Sequence, residues 1–541
     1  MPRMLHSSVE PLRGSPVRNT SDRVMGSLRE RMSGPSRQTL SVTPRVPSRR
    51  VFPGTPGLED SLEWVRYTPC RPTMQLPREL FVNLVSLSST SHVPLDGLLV
   101  GMLRAELSPE AVRALLASTR ERLGNALLRP EGVDDGGWLV EEQVLYPSRL
   151  PWRMTLVRGA SRRWVEVPPG VMPLVAHFLR QVAHEPDARR VQALWPFDDA
   201  SWELWRDVTP TAPSRWSVPD GPGIYRREHA SLLIRSRTTS ILVDPLGLHR
   251  RMPSMTAAPT ELPPEDLGAV VITHGHGDHW HLPSLLAQVA SARTPVIVPR
   301  VSRVSLLTPM DFVESLEACG QSALAPAWGD TVRIGDIDID VLPFHGEQPS
   351  REGPPLDGHL RNWGNCYRFT TEDFSCLLLV DGGADPWGDM EDVLAASCAR
   401  RGPVDVLLAC QREFKAPFFG GLGSYWAALP WGRLQALYRD HQQGTLGSVT
   451  AGASGAVKLC ERAQARYFLP YANGFERPGQ PITDIGWGLG EPSEADRNAF
   501  MRDALARQSL STQVLDWCPG DVARFERGAL TLTPGRQGAP K

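Results

Sequence analysis

Four side chains able to hold a metal ion stand almost together in this chain: His274, His276, Asp278 and His279, in the pattern H-x-H-x-D-H. They follow the apolar run Ala269-Val270-Val271-Ile272. Imidazoles and a carboxylate crowded this closely repel protons and attract a divalent cation. At the end of a strand His274 and His276 project to the same side, whereas on a helix they would diverge. Gly275 and Gly277 free the backbone to wrap the donors around one point. Asp278 and His279 are adjacent in the chain and reach a second ion more readily than the first.

Other donors lie downstream. Asp381 ends the run Leu377-Leu378-Leu379-Val380-Asp381 before Gly382-Gly383, where in isolation it reads as a turn residue. The segment Pro343-Phe344-His345-Gly346-Glu347-Gln348 sets a histidine and a glutamate two residues apart after a β-rich run. Asp244, in Val-Asp-Pro, is suited to orient a ligand imidazole through a hydrogen bond, a plain strand-end role being equally open. His281 reads as an outlying neighbour of the motif, His229 as a packed structural histidine, Asp385 as a turn residue and His441 as a solvated one.

The elements that must position these residues change in texture along the chain. Residues 1–50 hold ten Arg against three acidic residues, with Ser and Pro throughout and no apolar periodicity, so they read as a disordered tail. An Arg- and Ser-rich, acid-poor start is also the make-up of organelle transit peptides. Residues 55–215 read as an N-terminal domain, with helical spacing over Leu107–Leu128 and Met172–Leu194 and tryptophans suited to a core. Thr209–Ser214 reads as a linker. From 220 to 525 short β-rich runs alternate with helices. The strands are expected at Ser231–Arg235, Ser240–Asp244, Gly268–Thr273, Pro295–Pro299, Thr331–Leu342, Ser375–Asp381, Asp405–Ala409 and Arg466–Pro470. The helices are expected at Leu282–Ala292, Met390–Arg400, Gly432–Arg439, Ser454–Ala465 and Glu494–Ala506. Such a pattern predicts a layered α/β sandwich.

The bulk numbers exclude little but are consistent. At 541 residues the chain suits two or three domains. Its net charge of −2 gives no footprint for nucleic acid. None of the eight cysteines forms C-x-x-C, so a thiolate zinc site is not expected and a reducing cytoplasm is. No apolar run approaches membrane-spanning length, so no membrane partner is expected.

The Thr-His-Gly-His-Gly-Asp-His segment resembles the signature of the metallo-β-lactamase fold superfamily. So do, in order, His229–Ile234, Ile241–Pro245 and Leu377–Gly383. The resemblance implies a metallo-β-lactamase-like αββα sandwich preceded by a separate α+β N-terminal domain. It implies two ions, with His274 and His276 on one, Asp278 and His279 on the other and Asp381 between them. Two departures matter. The third histidine of the first ion's set falls where His345 and Glu347 compete. The late histidine of the hydrolases is missing, because the strand Arg466–Pro470 runs into Tyr471-Ala472-Asn473-Gly474. Fewer imidazoles and one more carboxylate suit iron or manganese better than zinc.

This combination is similar to the di-iron, oxygen-activating β-hydroxylases of nonribosomal peptide biosynthesis. The segments Gly-Glu-Gln-Pro and Arg361-Asn362-Trp363-Gly364-Asn365-Cys366-Tyr367 add to that likeness. The likeness implies Glu347 as the ligand and Asp278 and Glu347 as the catalytic carboxylates. It further implies two iron ions, dioxygen as co-substrate, an electron donor and the aminoacyl-carrier domain of a peptide synthetase as partner. The N-terminal domain would dimerise or dock the carrier. The alternative is a two-zinc hydrolase of an ester, lactone, amide or phosphodiester, with His345 as ligand. A degenerate, non-enzymatic binding module is the least favoured reading.

Overall fold

A computed structural model describes most of residues 152–206, 221–246, 266–348, 359–414, 429–473 and 492–534, with short pieces between 80 and 140. The 1–50 tail, the Thr209–Ser214 linker and most of the Leu107–Leu128 helix lie outside the described residues.

Two sheets face each other. The first has strands β4 (Gly223–Arg226), β5 (Leu232–Arg235), β6 (Ser240–Val243), β7 (Leu267–Val271), β8 (Val296–Ile297), β9 (Ala323–Leu324), β17 (Val522–Glu526) and β18 (Ala529–Thr533). Their order is β9-β8-β7-β6-β5-β4-β17-β18. The second has β10 (Thr331–Ile334), β11 (Ile337–Pro343), β12 (Asn365–Thr370), β13 (Ser375–Leu378), β14 (Val406–Ala409), β15 (Tyr467–Pro470) and β16 (Gln513–Val514), neighbours in that order.

Alternation along the strands sorts the cores. Ile224, Leu232, Ile234, Ile241, Val243 and Val271 of the first sheet meet Ile339, Val341, Tyr367, Leu378 and Leu408 of the second. The residues between them point outward. Leu233, Leu242 and Val270 pack under helices α4 (Leu282–Gln288) and α5 (Phe312–Ala318). Leu342, Leu377, Leu407 and Phe468 pack under α6 (Met390–Arg401), α8 (Gly452–Ala463) and α9 (Glu494–Arg507). A further helix, α7 (Trp431–Gln442), sends Trp431 and Leu434 to the core between the sheets. The molecule thus contains the αββα sandwich.

The N-terminal part holds a three-stranded antiparallel sheet, β1 (Leu80–Ser86), β2 (Trp152–Arg158) and β3 (Ser161–Val167). Helices α1 (Met172–Val182), α2 (Ala188–Ala193) and α3 (Asp199–Arg206) follow it. Met154, Val167, Val175, Phe178 and Leu179 share one apolar cluster with Leu285 and Leu286 of α4. This part therefore covers the helices on the outer face of the first sheet.

Several sequence expectations change in detail. The Met172–Leu194 pattern divides into α1 and α2, with Pro186 falling between them. The Thr331–Leu342 run is a hairpin of β10 and β11, turning at Gly335 with φ +57°. Within the sandwich, strands β4, β9, β12, β16, β17 and β18 and helix α5 lie outside the expected elements. In β12, Arg368 interrupts the apolar text yet is buried, because its guanidinium donates to the carbonyls of Gly402 (2.9 Å) and Pro403 (3.1 Å). Among the described residues no helix is long and apolar enough to cross a membrane.

Candidate metal centre

The H-x-H-x-D-H segment leaves the end of β7 and is tied on both sides. Asp244, one residue past β6, accepts from Thr273 N–H (2.8 Å) and Thr273 Oγ1–H (2.6 Å). On the other side Asn365 N–H donates to Thr273 O (2.7 Å), and Tyr367 O–H donates to Ile272 O (2.7 Å). The donors are therefore fixed to the rims of both sheets.

His274 Nε2 and His276 Nδ1 are 3.0 Å apart, and both face Glu347 Oε2, at 3.2 Å and 3.0 Å. His279 Nε2 lies 3.1 Å from Asp381 Oδ2, and His274 Nε2 lies 3.9 Å from the same oxygen. Asp278 Oδ2 lies 3.2 Å from His229 Nε2. The donor atoms form three overlapping groups, His274/His276/Glu347, His274/His279/Asp381 and His229/Asp278/His279. His345 joins none of them; its Nδ1 faces Asp385 Oδ1 at 3.1 Å. Asp244 Oδ2 sits 2.9 Å from His279 Nδ1, leaving His279 Nε2 directed into the site.

These donors fit a pair of cations. Glu347 Oε2, His279 Nε2 and Asp381 Oδ1 are buried and make no hydrogen bond among the described residues, although nitrogen and oxygen approach to about 3 Å. Lone pairs that converge without hydrogen-bond geometry, out of water, suit a positive ion at the point of convergence. The backbone agrees. Non-glycine residues with positive φ border the pocket: His229 (+52°), Asp244 (+38°), Glu347 (+46°) and Val380 (+52°). For a β-branched residue such as Val380 this is costly and marks a site held by its surroundings.

The charges of these donors are strongly perturbed by one another and by burial. Burial pushes the His274 imidazole below its ordinary pKa, and His279 and His276 push it further. For His276 burial works the same way, but the charge of the adjacent Glu347 carboxylate, with that of Asp278, raises it overall. Burial alone would lower His279, but the neighbouring carboxylates of Asp244, Asp381 and Asp278 outweigh it and hold the imidazole well above its ordinary range. Burial likewise opposes ionisation of Glu347, and the neighbouring His276 and His274 nevertheless hold its carboxyl low.

Protons and cations must therefore compete. The raised pKa values of His276 and His279 favour the metal-free protein at low pH, an advantage lost as pH rises through those values. Cation affinity should fall as pH drops, beginning above the ordinary imidazole value of about 6.5, by up to about tenfold per pH unit for each proton displaced. Calorimetric titration in two buffers of different ionisation enthalpy would register the released protons. Affinity flat between roughly pH 6 and 8.5 would contradict this.

Other residues acquire roles that spacing does not reveal. Buried His229 faces Asp278, and buried His281 caps α4, its Nδ1 accepting from Ser284 N–H (3.3 Å). Asp385 does accept turn hydrogen bonds, from Trp387 N–H and Gly388 N–H (2.8 and 3.1 Å), besides meeting His345. Beyond β15, in the place of the late histidine, Asn473 Oδ1 accepts from Gln411 N–H (2.8 Å) and its Nδ2 donates to Glu494 (2.9 Å). Tyr471 is fully buried beside this segment; burial first, then the charges of Asp244 and Asp381, keep its hydroxyl protonated.

Residues 239–471 match the model of the beta-lactamase superfamily domain. The uncharacterised protein Rv0906 of Mycobacterium tuberculosis is 31% identical over 175 residues, covering 27% of this chain and 44% of that protein. The chain thus spans less than half the length of this curated relative. Among solved structures, CmlA, a diiron beta-hydroxylase from Streptomyces venezuelae, matches with a TM-score of 0.53 at 15% identity, covering 82% of this chain and 98% of that one. A mutant of the CmlA beta-hydroxylase matches with a TM-score of 0.51 at 16% identity over the same shares. At such identities the likeness shows a common fold, the metallo-β-lactamase fold.

Proposed function

Taking as premise that residues 239–471 are a beta-lactamase superfamily domain, we propose that the chain is a non-heme di-iron monooxygenase. Its reaction would be β-hydroxylation of an aminoacyl group tethered to the carrier domain of a nonribosomal peptide synthetase, with dioxygen and an external electron donor, in the cytoplasm. The observation that carries this reading is the donor set. Glu347, rather than His345, stands with His274 and His276, and no histidine follows β15. An oxygen-rich set of this kind favours iron or manganese over zinc. The fold shared with a diiron beta-hydroxylase, which extends over the residues before the domain, supports the same reading.

When bound, the two ions supply the redox chemistry that no protein side chain offers. The chain's residues hold and orient them. His274, His276 and Glu347 would hold one ion, and Asp278 and His279 the other, with Asp381 shared. Asp244 keeps His279 in the tautomer that turns Nε2 inward. Glu347, His274 and His279 are buried, whereas the side chains of His276 and Asp278 are 23% exposed and mark the side open to a substrate. The N-terminal sheet and helices would dock the carrier or pair two copies.

Metal analysis of protein purified from iron-replete cells tests the proposal. Two irons per chain are expected, with near-ultraviolet absorption of an oxo-bridged pair. Two zincs and a colourless sample would instead favour the hydrolase. The partly exposed Asp278 is suited to orient a water nucleophile in that second reading.

A further inference from the structure

We propose that Arg361 and Asn362 are positioning residues: a two-residue clamp that fixes Glu347 and His276 toward a shared cation. The inference rests on the reading of His274, His276 and Glu347 as ligands.

Glu347 lies on a segment that cannot hold its own shape. Its φ of +46° is unfavourable for a glutamate, and it follows Gly346 at φ +118°. A Cβ on Gly346 would come within 2.7 Å of Gly383 N and 3.0 Å of Asp381 O, so the segment threads against the backbone beside Asp381. Something outside the segment must set where Glu347 points.

Arg361 and Asn362 grip that segment from both sides. Arg361 Nη2 donates to Phe344 O (3.1 Å) and to Asp385 Oδ2 (3.2 Å). Asp385 in turn faces His345 Nδ1 (3.1 Å) and accepts from Gly346 N–H (3.3 Å). The guanidinium is itself enclosed, 4.5 Å from the Trp387 ring and 5.2 Å and 5.3 Å from those of Trp363 and Trp328. A planar cation among three rings has little freedom to turn. On the far side of Glu347, Gln348 and Asn362 exchange hydrogen bonds: Gln348 Nε2–H donates to Asn362 O (2.9 Å) and Asn362 N–H donates to Gln348 Oε1 (2.8 Å). Residues 344, 345, 346 and 348 are thus all fastened, directly or through Asp385, and only Glu347 is left to face the donors.

Asn362 also reaches the second ligand. Its side-chain amide lies 3.4 Å from His276 Nε2, the ring nitrogen opposite the Nδ1 that faces Glu347. Asn362 Oδ1 is buried with no hydrogen bond among the described residues. Half a turn of the amide gives that oxygen the Nε2–H of His276, which leaves Nδ1 as the lone-pair donor. One segment therefore sets a carboxylate and an imidazole of the same pocket. His345 belongs to this clamp through Asp385.

Cobalt(II) titration of the metal-free full chain tests the clamp, with the visible bands of each bound ion followed separately. Asn362→Ala and Gln348→Ala are each expected to weaken the ion at His274, His276 and Glu347 by about 10–100-fold. The second ion should stay within about threefold, because the contacts removed are made to His276 and to the Glu347 segment rather than to His279 or Asp381. Asp340→Ala, which strips a buried carboxylate from Arg400 and Arg401, should lower the melting temperature without moving either affinity. Gln348→Ala removes the two hydrogen bonds to the Asn362 backbone while leaving its side-chain amide unsubstituted, and serves should Asn362→Ala not fold. Wild-type cobalt affinity in both clamp variants overturns the clamp, as does an equal loss of both ions in step with melting temperature. Glu347→Ala separates the two levels. If it weakens the first ion while the clamp variants do not, only the clamp falls; if it too binds as the wild type does, the ligand reading falls with it.

Discussion

Glu347→Ala is expected to lower affinity for the cation at His274 and His276 by more than the roughly 10–100-fold that loss of an outer partner costs. Turnover should fall with it. The carboxylate is buried, and its Oε2 lies 3.2 Å and 3.0 Å from the two imidazoles with no hydrogen bond of its own. Among the described residues the next carboxylate oxygen, that of Asp381, lies farther off, 3.9 Å from His274 Nε2. Without the carboxylate the pocket keeps two crowded imidazoles and the more distant, shared Asp381, and so a weaker hold on any ion. Glu347→His should behave differently. A third nitrogen restores a zinc-like set, so the variant should recover zinc affinity while iron binds less well than in the wild type. Histidine also tolerates the +46° backbone better than most residues. Competition of iron(II) against zinc(II), read by mass spectrometry of the metals retained, checks both variants. An alanine variant that keeps two irons would remove the basis of the oxygenase reading.

Arg226→Met is expected to destabilise the fold by about 3–5 kcal/mol, the cost of stranding one partner of a buried ion pair. Arg226 Nη1 and Nη2 meet the two oxygens of Glu494 at 2.8 and 2.9 Å, and Nη1 also donates to Trp517 O at 2.6 Å. Both side chains are nearly excluded from water, at 4% and 10% exposure. The pair reaches the metal side of the sandwich through Asn473 and Gln411, which join the ends of β14 and β15. A denaturant midpoint measures the loss. The double variant Arg226→Met/Glu494→Leu should recover most of it, since neither charge is then left alone. A single variant as stable as the wild type would show that water reaches Glu494.

The parts of this molecule that are local in sequence were legible, and the parts that depend on distant partners were not. The apolar run before His274 announces β7, and the tight spacing of His274, His276, Asp278 and His279 announces cation chemistry, because both signals sit within a dozen residues. Spacing could not decide between His345 and Glu347. They are two residues apart, and what separates them is Asp385, forty positions away, facing the histidine. The part played by Asn362 was equally hidden, since its contact with His276 spans 86 positions. In the fold, β12 went unread because Arg368 looks like a solvent residue until its carbonyl partners after α6 are known. Helix α5 is seven residues long, too short for apolar spacing to declare itself.

Helix α4 starts directly after the ligand motif, and all seven of its residues are buried. An outer helix of a four-layer sandwich would ordinarily keep one wet flank. Here α1 and its neighbours occupy that flank. A fragment cut down to the metal-bearing half would therefore display a greasy wall beside His281, prone to self-association. The loop that carries the imidazoles would lose its outer buttress in the same stroke, so the two halves are one mechanical object.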